Sequence, residues 1–264
     1  MNILVTWIEA IGNTVITRVH SAAGLMDFGW KLLVVTLNPR TYDSATRWII
    51  VKQIYFTAVQ ALPIYIAYSL VISTVIIQIM VTVARNFGLS EYVPGLIVGF
   101  LVMELLPFLS VLFVALRSGA AINTEIALMH VNNELAAFEH AHIDPVRYEF
   151  MPRVVGGVLS VLALTGLSVL TAFGVAFVVM YGLEPANFPA YARAIGQLLT
   201  LPLLLWLVLK TMLFGLSVTL IPIKTGLEIP KRLFLVPVAV LKGMMRVFFA
   251  IVLIEVASLA IKYI

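Results

Sequence analysis

The chain reads as an all-α membrane protein: an N-terminal interfacial segment, five transmembrane helices, and a polar cytoplasmic helix between spans two and three. Three observations predict this. Mean hydropathy is +1.07, and only 11% of residues are charged, where soluble domains carry about 25%. Five apolar runs reach the roughly 20 residues needed to cross about 30 Å of hydrocarbon. One polar stretch, residues 117–153, interrupts them and holds five of the thirteen acidic residues. Helix-length runs with no alternating polar face do not suit a barrel.

Taken in order, residues 1–52 are too often interrupted by charge to be a further span. Trp7, Ile8, Ile11, Val15 and Val19 recur at helical spacing, the pattern of a helix lying in the membrane interface, with Trp30 and Trp48 as further interfacial anchors. The start lacks a positive n-region and carries Glu9 early, so no cleavable signal peptide is expected. Asn38-Pro39 breaks the chain, and Ser44 is placed to cap a helix over Ala45–Lys52 that leads into span one. The spans themselves are expected near 54–84, 92–116, 154–182, 195–221 and 234–261.

Orientation follows from Lys and Arg, which collect on the cytoplasmic side. One set of connections holds Arg18, Lys31, Arg40, Arg47, Lys52, Arg117, Arg147, Arg153, Lys224, Lys231 and Arg232, while the other holds only Arg85, Arg193 and Lys262. The N-terminus is therefore expected in the cytoplasm, the C-terminus outside, and the long polar loop inside. The outer connections near Arg85–Tyr92 and Glu184–Ala190 leave no room for a periplasmic domain.

Within the polar loop, Asn123 or Thr124 is a natural N-cap for a helix starting near Glu125, whose acid is favourable at the positive end. Ile126, Met129, Asn133, Ala137 and His140 follow at three- and four-residue steps, and Asp144-Pro145 ends the helix. The spacing predicts one helix over 123–142, a handle for a soluble motor. An amphipathic connector on the lipid surface is the alternative. Against it, Glu125, Glu134, Glu139, Asp144 and Glu149 give an acidic bias that is unfavourable beside an anionic leaflet.

Ionisable groups inside spans are costly and point to function. Glu104 sits mid-span with Pro107 three residues on, and Lys210, Lys242, Arg246 and Glu255 are further candidates. Nine residues separate Arg246 from Glu255, about 13 Å along one helix, so each needs a partner elsewhere: Glu104 for a basic group, or Lys210 for Glu255. Charge pairs that merely lock helices together are the structural alternative, and Lys242 is also placed to snorkel to the interface.

No nucleophile–base or acid–base pair is evident, so the chain is not expected to be an enzyme. His140 and His142 are two apart, off the spacing of a helical metal pair. No GxxxxGK[ST] occurs, so any ATP and Mg²⁺ belong to a separate ATPase chain. The net charge of +4 includes no basic run for a nucleic-acid backbone.

Several segments resemble the MlaE (YrbE) permease family, the membrane subunits of ABC lipid transporters associated with MCE proteins. Lys52-Gln53-Ile54-Tyr55 is similar to the family's RQLY, Glu104-Leu105-Leu106-Pro107 to ELGP, and Arg117-Ser118-Gly119-Ala120 to RAGSA. Thr124-Glu125-Ile126-Ala127-Leu128-Met129 resembles TAEIGLM. Glu134-Leu135 with Phe138-Glu139 resembles EQLSSME, and Asp144-Pro145 resembles VDP. Ala23-Gly24-Leu25-Met26 and Lys210 with Phe214 extend the likeness over nearly the whole chain.

The resemblance implies a dimeric permease core, with a cytoplasmic ABC ATPase, often a STAS-domain subunit, and periplasmic MCE proteins. It implies a lipid pocket near span one formed by Glu104, Ile76, Ile77, Met80, Lys210, Arg246 and Glu255, with phospholipid as cargo. It also implies ATPase coupling through Glu125, Met129, Glu134, Phe138, Glu139 and Asp144. The chain departs from the family pattern at Leu106 (a glycine there), at Met103 (usually basic), and at Ala58, Ser73 and Ile77 (glycines in span one). The second permease copy is therefore either identical or a paralogue. A membrane-embedded scaffold that recruits a partner without transporting is the rival reading.

Overall fold

The computed structural model describes residues 24–263. The interfacial helix expected around Trp7–Val19 lies outside them. Helix α1 covers residues 24–37. Then come α2 (Ser44–Thr57), α3 (Leu62–Asn86), α4 (Ser90–Val131), α5 (Glu134–His140), α6 (Val146–Tyr181), α7 (Phe188–Leu198), α8 (Leu201–Leu227) and α9 (Val236–Tyr263). No strand occurs among the described residues.

Five units are long and apolar enough to cross a membrane: α2 running into α3, then α4, α6, α8 and α9. They alternate in direction, so the bundle has an α5 end and a far end. α4 is the central helix. Of its most apolar eighteen residues 61% is buried, against 17–39% in the other four spans.

The apolar interior forms three layers. Near the far end, Ile77, Ile97, Leu101, Met103 and Ala172 pack together, with Tyr191 of α7 over them. In the middle lie Tyr65, Val111, Phe214, Val218 and Ile251. At the α5 end, Leu32 of α1 joins Ile122, Ile126, Phe150, Met151 and Ile223. With hydrocarbon outside, such helices associate through close packing and interhelical hydrogen bonds. Both are present. A Cβ on Gly215 would stand 2.8 Å from Val158 Cα, so α8 lies directly against α6. Between α3 and α6, Ser69 shares a 2.6 Å hydrogen bond with Thr171. Tyr65 and Ser110 join α3 to α4 in the same way.

Prolines shape the helices further. Pro107 has no N–H for the carbonyl of Met103, and its ring crowds that oxygen. The backbone answers with a π-helical stretch over Ile97–Leu105. Pro152 near the start of α6 likewise follows a π-turn over Val146–Phe150. A second π-turn in α4 spans Ala115–Gly119.

Three local expectations are corrected. α2 begins at Ser44, and its cap is Asp43, whose carboxylate accepts from Thr46 N at 2.8 Å. Asn123 and Thr124 cap nothing: α4 runs unbroken through them to Val131. The helix expected over 123–142 is thus the last part of α4 plus a separate α5, divided where Asn133 adopts a left-handed φ of 58°. The fourth span starts at Leu201, because residues 188–198 turn off as α7.

Candidate functional site

Four charged side chains from three helices meet inside the far half of the bundle. Lys210 of α8 lies against Glu104 of α4 and 2.8 Å from Glu255 of α9. Lys262, also on α9, reaches the other oxygen of Glu104 at 2.7 Å. Two carboxylates and two ammoniums cancel. Buried charge is tolerable only when paired and hydrogen-bonded, and the backbone adds acceptors for both cations, while Glu255 Oε2 meets Lys210 as an ion pair without a hydrogen bond. The Met103 carbonyl, to which Pro107 can offer no N–H, accepts from Lys210 Nζ at 3.2 Å. Lys262 Nζ donates to the carbonyl of Gly99 at 3.0 Å, in the same π-helical stretch. The proline, the π-turn and the lysines therefore form one arrangement: the irregular backbone supplies the acceptors the cations need.

Burial is graded. Side-chain exposure is 2% for Lys210, 6% for Glu104, 15% for Glu255 and 20% for Lys262. Lys210 is locked at the centre, over the ring of Phe214, and Lys262 is the outermost.

The pairing of Lys210 with Glu255 matches the expectation from the sequence. Arg246 is not part of the group: it binds Glu228 at 2.8 Å and faces Thr225, toward the α5 end. Lys242 is exposed there. Ile77 is fully buried in the far-end layer, and Ile76 and Met80 are half-buried against it. Lys262 was missed, having been counted only as a charge of an outer connection. The signal was its spacing: seven residues after Glu255 puts both on one helix face.

The α5 end carries a second set of polar contacts. Arg153 bridges Glu125 and Glu149. Arg147 and Tyr148 of α6 hold Asp43 at 2.9 and 3.0 Å. Together with its bond from the Thr46 amide, the first cause, these keep the Asp43 carboxyl below its usual range. Arg117 donates to the Phe56 carbonyl at 2.7 Å and to Gln60, satisfying an acceptor left orphaned where α2 ends. Around it opens a cavity of about 270 Å³, lined by Gln53, Thr57, Gln60 and Ser118. Of the residues expected to couple to a motor, Glu125, Glu134, Glu139 and Asp144 are exposed, while Met129 and Phe138 are half-buried. Lys231, on the α8–α9 connection, holds Asn133 at the α4–α5 break.

Asn123 joins these parts. Fully buried, it donates across to the Ala239 carbonyl of α9 at 3.4 Å. A side chain on Gly243 would collide with its amide, and one on Gly226 would stand 3.1 Å from its carbonyl. The α5 end of α4 is thereby wedged between α8 and α9, the two helices that supply the other charges of the buried cluster.

A bundle of five helices long and apolar enough to span a membrane, with a charge cluster in its core, is the architecture of a multi-pass membrane protein. Residues 50–261 match the family model "Permease MlaE", and the chain belongs to that family. It is 31% identical over 164 residues to the intermembrane phospholipid transport system permease protein MlaE of Haemophilus influenzae, covering 61% of this chain and 60% of that one. It is 29% identical over 150 residues to a probable ABC transporter permease protein of Synechocystis, covering 56% and 57%. A probable ABC transporter permease protein of Rickettsia typhi is 27% identical over 218 residues, 82% of each. The match thus spans about three-fifths of the first two relatives and about four-fifths of the third.

Proposed function

We propose that the chain is the non-catalytic transmembrane subunit of an ABC transporter in the bacterial inner membrane. It moves phospholipid or a similar hydrophobic molecule between that membrane and periplasmic MCE proteins. The α5 end faces the cytoplasm and the far end the periplasm, as the Lys and Arg distribution favours. A separate ATPase, with its own ATP and Mg²⁺, docks on α5 and the inner end of α4. A STAS-domain subunit and a second permease copy, identical or a paralogue, complete the assembly.

One observation carries this reading: α4 carries Glu104 of the buried charge cluster and, toward its other end, Glu125 and Met129 of the residues expected to couple to a motor. From Glu104 to Val131 α4 is an unbroken rod of roughly 40 Å. A push at its α5 end reaches Glu104 along one helix, with no non-helical residue between them. The wedge at Asn123 passes the same displacement to α8 and α9, which carry Lys210 and Glu255. Family membership supports the class of cargo, since the Haemophilus relative is named for phospholipid transport.

The test is co-purification with the neighbouring ATPase. The wild-type chain is expected to retain it, and Glu134→Lys with Glu139→Lys to lose at least about tenfold of it, since reversing two charges at an interface core costs several kcal/mol. Undiminished retention in the double variant would remove the docking claim.

A further inference from the structure

α5 is set apart from the chain at both of its ends. Asn133 before it and His142 after it each have a φ of 58°, and they are the two non-glycine residues with a positive φ among the described residues. A β-carbon disfavours that backbone, and a continuous helix does not pass through it. The His142 and Ile143 amides donate back to the Glu139 and Phe138 carbonyls at 3.0 and 2.9 Å, the closing pattern of a helix end. No residue of α5 is fully buried, although Leu135 packs against the α5-end layer. A push on a helix held this lightly turns it about its ends, the places that absorb backbone rotation, unless the joint is braced.

A brace is present. Lys231 Nζ donates to Asn133 Oδ1 at 2.5 Å. Lys231 stands on the short connection from α8 to α9, which is itself fastened. Arg246 of α9 binds Glu228, just past the end of α8, at 2.8 Å, and the Leu235 amide donates to the Arg232 carbonyl at 3.0 Å. Both Lys231 and Asn133 are exposed, so their bond adds little to folding. What it fixes is position: it ties the α4–α5 joint to the helices that carry Lys210 and Glu255.

Resting on the reading of α5 as the dock for an ATPase, we propose that Lys231 and Asn133 are positioning residues for coupling. Their hydrogen bond braces the joint against the α8–α9 connection, so a displacement of α5 moves α8 and α9 together with α4 instead of turning α5 alone.

Glycine adopts a left-handed backbone freely, so Asn133→Gly removes the acceptor and leaves the joint unstrained. The experiment loads the complete complex with fluorescent phosphatidylethanolamine in detergent and measures lipid released per ATP hydrolysed, a ratio independent of how much ATPase is retained. Lys231→Met and Asn133→Gly are each expected to lower it at least about threefold, the factor an exposed charged hydrogen bond carries. Lys231→Arg and Asn133→Asp, which keep donor and acceptor, are expected to stay near the wild-type ratio. The double variant Lys231→Met with Asn133→Gly should lose no more than either single one, since each removes the same bond. A ratio undiminished in either single variant, or losses that multiply in the double, overturns the proposal. So does a fall in retained ATPase with the ratio unchanged, which would make the pair part of the docking surface only. A wild-type complex that retains no ATPase, or hydrolyses ATP without releasing lipid, overturns instead the transporter reading on which the proposal rests.

Discussion

Pro107 offers no N–H to the Met103 carbonyl, and Lys210 donates to that oxygen. Such a lysine is held from three sides, by two carboxylates and a carbonyl, so its removal leaves more behind than it takes. Lys210→Met strands Glu104 and Glu255 in an apolar core, and breaking a buried pair in this way costs about 3–5 kcal/mol. Glu255→Gln leaves Lys210 with Glu104 and the Met103 carbonyl, so its effect is expected to be clearly smaller. Thermal unfolding of the purified chain in detergent checks this order. Equal effects would mean that Lys210 does not bridge both acids. Much of this site was legible in the sequence, because a charge inside an apolar run has no reason to be there except a partner. Glu104, Lys210 and Glu255 announce themselves in that way. Lys262 does not, since it lies where a lysine also serves as a topological anchor. Arg246 misled in the opposite sense: its place in an apolar run hid a partner, Glu228, just beyond the end of α8.

At the scale of the helices, the five spans followed from hydropathy alone, while the boundary between span and coupling element did not. Asn123-Thr124 before Glu125 has the local chemistry of a helix start. Tertiary contacts override it: Asn123 is buried against α9, its amide bonded to Ala239, and Thr124 turns its hydroxyl back to the Ala120 carbonyl as an interior residue does. Nothing in the local sequence distinguishes an N-cap asparagine from one that bonds across a helix interface. The true break, Asn132-Asn133, carries the residue type that tolerates a left-handed backbone. The wedge makes its own prediction. Gly243→Val drives a branched side chain into the Asn123 amide and is expected to destabilise by about 1–3 kcal/mol, the range for overpacking. The companion Asn123→Ala, which relieves that clash, should restore part of the loss in the Gly243→Val background. Additive losses would show that the two residues do not meet.

Over the whole molecule, the outer helices leave large apolar faces uncovered, as on α3 (Ile64, Val71, Val75) and α9 (Leu241, Phe249, Leu253). In a membrane this surface suits lipid tails or a second permease copy. The charge cluster lies inside the far half, the polar α5 end projects from the opposite side, and α4 runs between them. The proposed function links nucleotide hydrolysis at one end to lipid at the other. The most direct measurement is the amount of phospholipid bound per permease chain in the purified complex with its ATPase, before and after ATP turnover. Retained lipid that is released on hydrolysis, and not with a non-hydrolysable analogue, is the predicted result. Bound lipid that is absent from the start, or unchanged by hydrolysis, would contradict the account.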